Sequence, residues 1–201
     1  MTLALKALQI LAPVAKITGK IHMPFSRKRI QGPHFYSILK HLIPGAVLVS
    51  RTEGEFTNLL IDGYFKHAAM FASIEFIDEL GRPFDYPYVI EAVGNGVTIT
   101  DLVTFMTSKD DVVLLYPRFC TIELMKASAK IAHKYLNAPY DYYFTPGNAH
   151  FYCSELIMEA YKEACGSVPF SPRLRMGIST ILAQDYVNAL DKWEVVWTSH
   201  K

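Results

Sequence analysis

Strand-like runs come first in this chain of 201 residues, and helix-like stripes follow them. Pro44-Gly45 marks a turn, and residues 46–50 (AVLVS) then read as a buried strand. Residues 66–72 (KHAAMFA) and 88–93 (YVIEAV) read as two more. Gly94-Asn95-Gly96 is a strong turn signal that returns the chain into 97–100, and 111–116 (DVVLLY) adds another strand. Between the first two, Phe56, Leu59, Leu60 and Tyr64 suit a short helix over 55–65. Later, Ile122, Met125, Ala129, Ala132 and Leu136 form one stripe and predict an amphipathic helix over 121–136. Pro139 forces a loop, and a second stripe of Leu156, Ile157, Ala160, Tyr161 and Ala164 predicts a helix from near Cys153 to near Gly166. Trp193, Val195 and Trp197 alternate on one face, as a closing strand would place them. This order predicts an α+β fold with an antiparallel or mixed sheet.

With 51% hydrophobic residues, the chain is long enough for one substantial core. A formal net charge of +1 implies no broad basic surface, so nucleic acid is not an expected partner. Residues 1–43 read as a partly helical N-terminal extension, punctuated by Gly19, Pro24, Gly32 and Pro33. Its first eleven residues are apolar but interrupted by Lys6 and followed by Pro13, which fits a secretory signal poorly. No run approaches the length needed to span a bilayer. The extension is expected to pack as an amphipathic helix on the domain or on a partner. A peripheral membrane contact through Lys6, Lys16, Lys20 and Arg27-Lys28-Arg29 is the second reading. A cytoplasmic location is expected.

The chain has three cysteines, Cys120, Cys153 and Cys165, with no Cys-x-x-Cys pair. That count does not suggest a disulfide scaffold or a zinc knuckle. Neither a metal site nor a cofactor is expected. Cys153 falls where a loop ends and the second helical stripe begins, and a helix N-terminus favours a thiolate. Position alone leaves it equally a small buried apolar residue. Cys120 and Cys165 read as structural. A cysteine nucleophile needs a base. His67 stands out because it lies in a strand of small and apolar residues, though spacing alone also suits a satisfied core histidine. Glu91 is a lone carboxylate in another strand, and burial there would require a partner. If the two strands are neighbours, His67 and Glu91 can pair.

The order His in a strand, Glu in a strand, Cys at a helix start resembles the circularly permuted papain-fold enzymes of the NlpC-type superfamily, in particular the YiiX-like branch. The matching pieces are Pro44-Gly45-Ala46-Val47-Leu48-Val49, Lys66-His67-Ala68-Ala69-Met70-Phe71 and Val89-Ile90-Glu91-Ala92. They continue through Gly96-Val97, Val112-Val113-Leu114-Leu115, Tyr140-Asp141-Tyr142-Tyr143-Phe144 and Tyr152-Cys153-Ser154-Glu155-Leu156. The resemblance implies a catalytic domain over 44–201, with a small antiparallel or mixed sheet or barrel packed on the helix that carries the cysteine. It implies Cys153 as nucleophile, His67 as base and Glu91 as the group that orients it. The implied activity is a cysteine-dependent hydrolysis of amide bonds in peptides, cell-wall peptides among them, through a thioester. A lipid acyltransferase or phospholipase on the same fold is one alternative, and a non-catalytic binding or assembly protein is another. Tyr140, Asp141 and Tyr152 are candidate substrate contacts, with turn chemistry or packing as their ordinary roles. Two positions depart from the family pattern: Ala46 follows Gly45 where Asp is common, and Lys66 stands where Ser is common. Neither removes a catalytic group, and both bear on substrate recognition.

Overall fold

The computed structural model describes residues 30–53, 62–77, 83–144, 147, 149–166, 171–175 and 178–200. Six strands form one open sheet: β1 (Val47–Arg51), β2 (His67–Ile77), β3 (Pro83–Val93), β4 (Gly96–Asp101), β5 (Asp111–Pro117) and β8 (Trp193–Thr198). Their order is β4-β3-β2-β1-β5-β8, and every pairing is antiparallel. The sheet is therefore neither mixed nor closed into a barrel. Short β6 (Arg173–Arg175) and β7 (Ile178–Thr180) pair separately. Five helices are described: α1 (Gly32–Leu39), α2 (Leu102–Thr107), α3 (Ile122–Lys134), α4 (Cys153–Cys165) and α5 (Ala183–Asn188).

The predicted helix over 121–136 is α3, begun by Thr121, whose hydroxyl accepts the Leu124 amide at 3.4 Å. Met125, Ala129 and Ala132 are buried as the stripe requires. Ile122 is not, being 50% exposed in the first turn, and Leu136 lies past the helix end. The α4 stripe is buried at Leu156, Ile157, Ala160 and Tyr161 and partly buried at Ala164, and Gly166 stops the helix at a φ of 68°. Packing α3 and α4 on each other and on β2 and β3 buries these faces. Gly45 is required where it stands: its φ is +96°, and a Cβ would come within 2.0 Å of the Met125 carbonyl oxygen. The Tyr161 hydroxyl donates to the Gly45 carbonyl at 2.7 Å, fixing α4 to the start of β1.

Trp193 is fully buried, edge-on to Phe119 and Tyr161 and beside Tyr186. The expected alternation in β8 breaks at Trp197. The register slips between Leu114 and Leu115, so Trp193 and Val195, opposite Pro117 and Leu115, share a face while Trp197, opposite Leu114, takes the other. Both tryptophans are buried, and Val195 is 41% exposed. The helix expected over 55–65 lies largely outside the described residues, and 62–65 are irregular. The N-terminal readings on residues 1–29 also lie outside them. Within the expected extension, α1 is tied to the sheet domain by buried Ile38 and by the Trp197 indole N–H, which donates to Ser37 Oγ at 2.8 Å. Among the described residues no helix is long and apolar enough to cross a membrane.

Candidate active site

Sheet register brings the two strand-borne groups together. Phe71 faces Val89, and Val89 faces Thr100. His67 shares a face with Phe71, and Glu91 with Val89, because side chains alternate along a strand. His67, Glu91 and Thr100 therefore project from one face of three adjacent strands. The His67 Nε2 and Glu91 Oε2 atoms are 2.6 Å apart, and the Thr100 hydroxyl donates to Glu91 Oε1 at 2.5 Å. Both carboxylate oxygens are thus held, as burial of an ionised group demands.

Cys153 opens α4 and is 8% exposed. Its thiol lies 3.9 Å from Ser154 Oγ, and the His67 side chain and the Ala68 backbone amide are near enough to act on it electrostatically. With Nε2 given to Glu91, Nδ1 is the ring nitrogen left to the sulfur. Electrostatics follow from these contacts. Burial alone would raise the thiol, but the His67 hydrogen bond and charge, with the Ala68 amide, hold Cys153 below the usual thiol range. Burial alone would lower the His67 ring, yet its hydrogen bonds with Cys153 and Glu91 raise it to about 9. Burial would raise Glu91, but the His67 hydrogen bond and charge, Lys109 and Thr100 bring it to about 2. The three groups form an acid–base relay in which the charged forms sustain one another.

Three participants escape the sequence reading. Thr100 was legible in principle, since alternation along 97–100 puts it on the Glu91 side of the hairpin. Phe105 lies on α2, a helix not foreseen, with its ring 6.2 Å from that of His67. Lys109, just beyond α2, places its ammonium 4.9 Å over Phe105. The segment 102–107 (LVTFMT) is short, and its start depends on Asp101, whose carboxylate accepts the Thr104 amide at 2.9 Å.

Tyr140 is half-buried and sits beside Phe151 through a paired bridge: Asp141 N donates to Phe151 O at 3.2 Å and Phe151 N to Pro139 O at 3.0 Å. Burial and the adjoining Cys153 charge push its phenol well above the ordinary range, so it stays a hydroxyl donor. Asp141 is 1% exposed and accepts the Tyr143 amide at 2.8 Å. Tyr152 precedes Cys153 and is 3% exposed, its hydroxyl bonded to Thr180 Oγ1 at 3.1 Å and to the Ile181 amide at 3.2 Å. Glu155 is buried, with burial and the Asp141 carboxylate pushing it up to about 7, while the Tyr152 and Gly147 amides donate to it. Among the described residues no group of three or more His, Cys, Asp or Glu side chains stands together as a metal site.

A buried thiol at a helix start thus lies beside a strand-borne His held by a Glu, all on an antiparallel sheet. The model of the permuted papain-like amidase enzyme family, YaeF/YiiX, C92, matches residues 41–188, and the chain belongs to that family. The chain is 34% identical over 83 residues to the uncharacterized protein YiiX of Escherichia coli strain K12, a match covering 40% of this chain and 41% of that protein. The aligned part thus spans about two fifths of that relative's length. It is also similar in fold to the crystal structure of metalloprotein YiiX from Escherichia coli O157:H7, with a TM-score of 0.51 and 23% identity over 65% of this chain and 71% of that one. That family is described as one of permuted papain-like amidases.

Proposed function

We propose that this protein is a cysteine-dependent amidase acting on peptide-like substrates through a thioester. The observation that carries the reading is the Cys153 thiol beside a His67 ring whose far nitrogen is held by Glu91 at 2.6 Å. His67 takes the thiol proton at Nδ1, giving a thiolate–imidazolium pair. The thiolate adds to the substrate carbonyl carbon, and backbone N–H at the start of α4 supports the oxyanion. His67 returns its proton to the departing amine as the C–N bond breaks. Water, activated by the neutral ring, then cleaves the thioester and regenerates the thiol. Glu91 keeps the ring in the tautomer and orientation that face the sulfur. Tyr140 is the substrate contact among the loop residues. Asp141 and Tyr152, buried as they are, act by positioning the loop and the helix start.

Acyl-enzyme trapping tests this. A panel of peptide amides and of acyl-lipid esters is incubated with the protein, and the tryptic peptide 135–162 is weighed. The expected result is an acyl mass on Cys153 from amide donors, absent in Cys153→Ala and His67→Ala, with circular dichroism unchanged. Acylation from lipid esters alone would replace the reading with a lipid acyltransferase. Full turnover by Cys153→Ala on a validated substrate would remove the nucleophile assignment.

A further inference from the structure

The other two cysteines meet in space although 45 positions separate them in sequence (165 − 120). Phe119 stacks edge-on to Tyr161, with ring centroids 5.6 Å apart. Cys165 lies one helical turn beyond Tyr161 on α4, hence on the same side of that helix. Cys120, next to Phe119, is thereby brought to the Cys165 side of α4. The two thiols are near enough to act on each other and on the Tyr161 phenol. Both are free and only partly buried, so small reagents reach them.

We propose that Cys120 and Cys165 form a dithiol pair that closes to a disulfide when exposed to a low-molecular-weight disulfide such as oxidised glutathione. One protein thiolate attacks the reagent, forming a mixed disulfide and displacing one small thiol. The second protein thiol loses its proton to solvent and attacks the protein sulfur of the mixed disulfide, releasing the second small thiol. Two protein thiols and one small disulfide thus become one protein disulfide and two small thiols. Burial and the adjacent Cys165 push the Cys120 thiol up to about 12, so Cys120 rests as the thiol. The odd cysteine count then resolves into one pair and one nucleophile. The bridge would enclose residues 121–164: α3, the Tyr140 loop and Cys153 itself. It would join the β5–α3 connection to the last residue of the nucleophile helix.

The test is substrate-independent. Trypsin leaves the three cysteines on different peptides, residues 119–126, 135–162 and 163–173. The full chain is equilibrated with oxidised glutathione, blocked with iodoacetamide and mapped without reduction. The expected product is 119–126 joined to 163–173, with the melting temperature raised by roughly 5–15 °C over the reduced protein. The same bridge is expected in Cys153→Ser, where the third thiol cannot exchange. Recovery of Cys120 and Cys165 as alkylated or glutathionylated monomers, or either one joined to 135–162, would overturn the proposal.

Discussion

Replacing Glu91 by Gln keeps the side-chain shape and deletes its charge, which isolates what the carboxylate does for His67. The bond it accepts from Nε2 is 2.6 Å long and Glu91 is 6% exposed, so the imidazolium loses a buried, charge-assisted partner. Such a bond is worth roughly 1.5–3 kcal/mol, and one pKa unit corresponds to about 1.4 kcal/mol. His67, raised to about 9 in the native protein, should therefore drop by roughly one to two units. The imidazolium in turn sustains the thiolate, so Cys153 should climb toward the free-thiol value of about 8.5. The assay is the rate of iodoacetamide labelling of Cys153 from about pH 5 to about pH 10, read on the 135–162 peptide. Native protein should label well below the free-thiol range, with a second change near 9 as the imidazolium deprotonates. The variant should show one inflection near the free-thiol value. Stability should move in step. His67 titrates above its ordinary 6.5, so its contribution is complete below that pH and lost as pH rises through about 9. Glu91 titrates below its ordinary 4.5, so its contribution is complete above that pH and lost as pH falls through about 2. The native-to-variant gap in urea unfolding should be widest between about pH 4.5 and 6.5. Superimposable labelling profiles for Glu91→Gln and native protein would refute the claim that Glu91 sets the charge of His67.

Two other substitutions probe the frame around the site. Gly45→Ala forces a Cβ against the Met125 carbonyl at a φ of +96°, and should cost roughly 2–4 kcal/mol, read as a drop in thermal midpoint. Glu155→Gln should stabilise by roughly 1–3 kcal/mol at alkaline pH. Because folding raises Glu155 from 4.5 to about 7, the gain should grow through that interval and level off above it, as urea midpoints at its two ends would show.

The strand cores and the two long helices were legible because each carries its period plainly. Residues 46–49 and 112–115 are continuous apolar runs, and Leu156, Ile157, Ala160 and Tyr161 repeat at helical spacing. The α2 and α5 helices are six residues each, too short for periodicity to register. The face of Trp197 was not legible because a register slip in the β5–β8 pairing leaves no trace in the β8 sequence. For the site, residue type and order pointed to His67, Glu91 and Cys153, but adjacency came only from the sheet. Nothing in a single sequence states that β2 and β3 are neighbours or that Ala68 turns its amide to the sulfur. The approach of Cys120 to Cys165 was illegible for the same reason: it depends on how Phe119 docks on α4.

The order of the elements also has a consequence for the chain during its own synthesis. His67 and Glu91 belong to strands that leave the ribosome well before α4, and nascent domains gather structure from the N-terminus onward. The acid–base pair can thus be assembled while the sulfur it serves is still untranslated. A nascent chain halted before Cys153 carries the carboxylate and the imidazole without the sulfur. The outer side of β5 stays unpaired until β8 adds to it as the edge strand. Translation therefore delivers Cys153 late and the edge strand of the sheet later still.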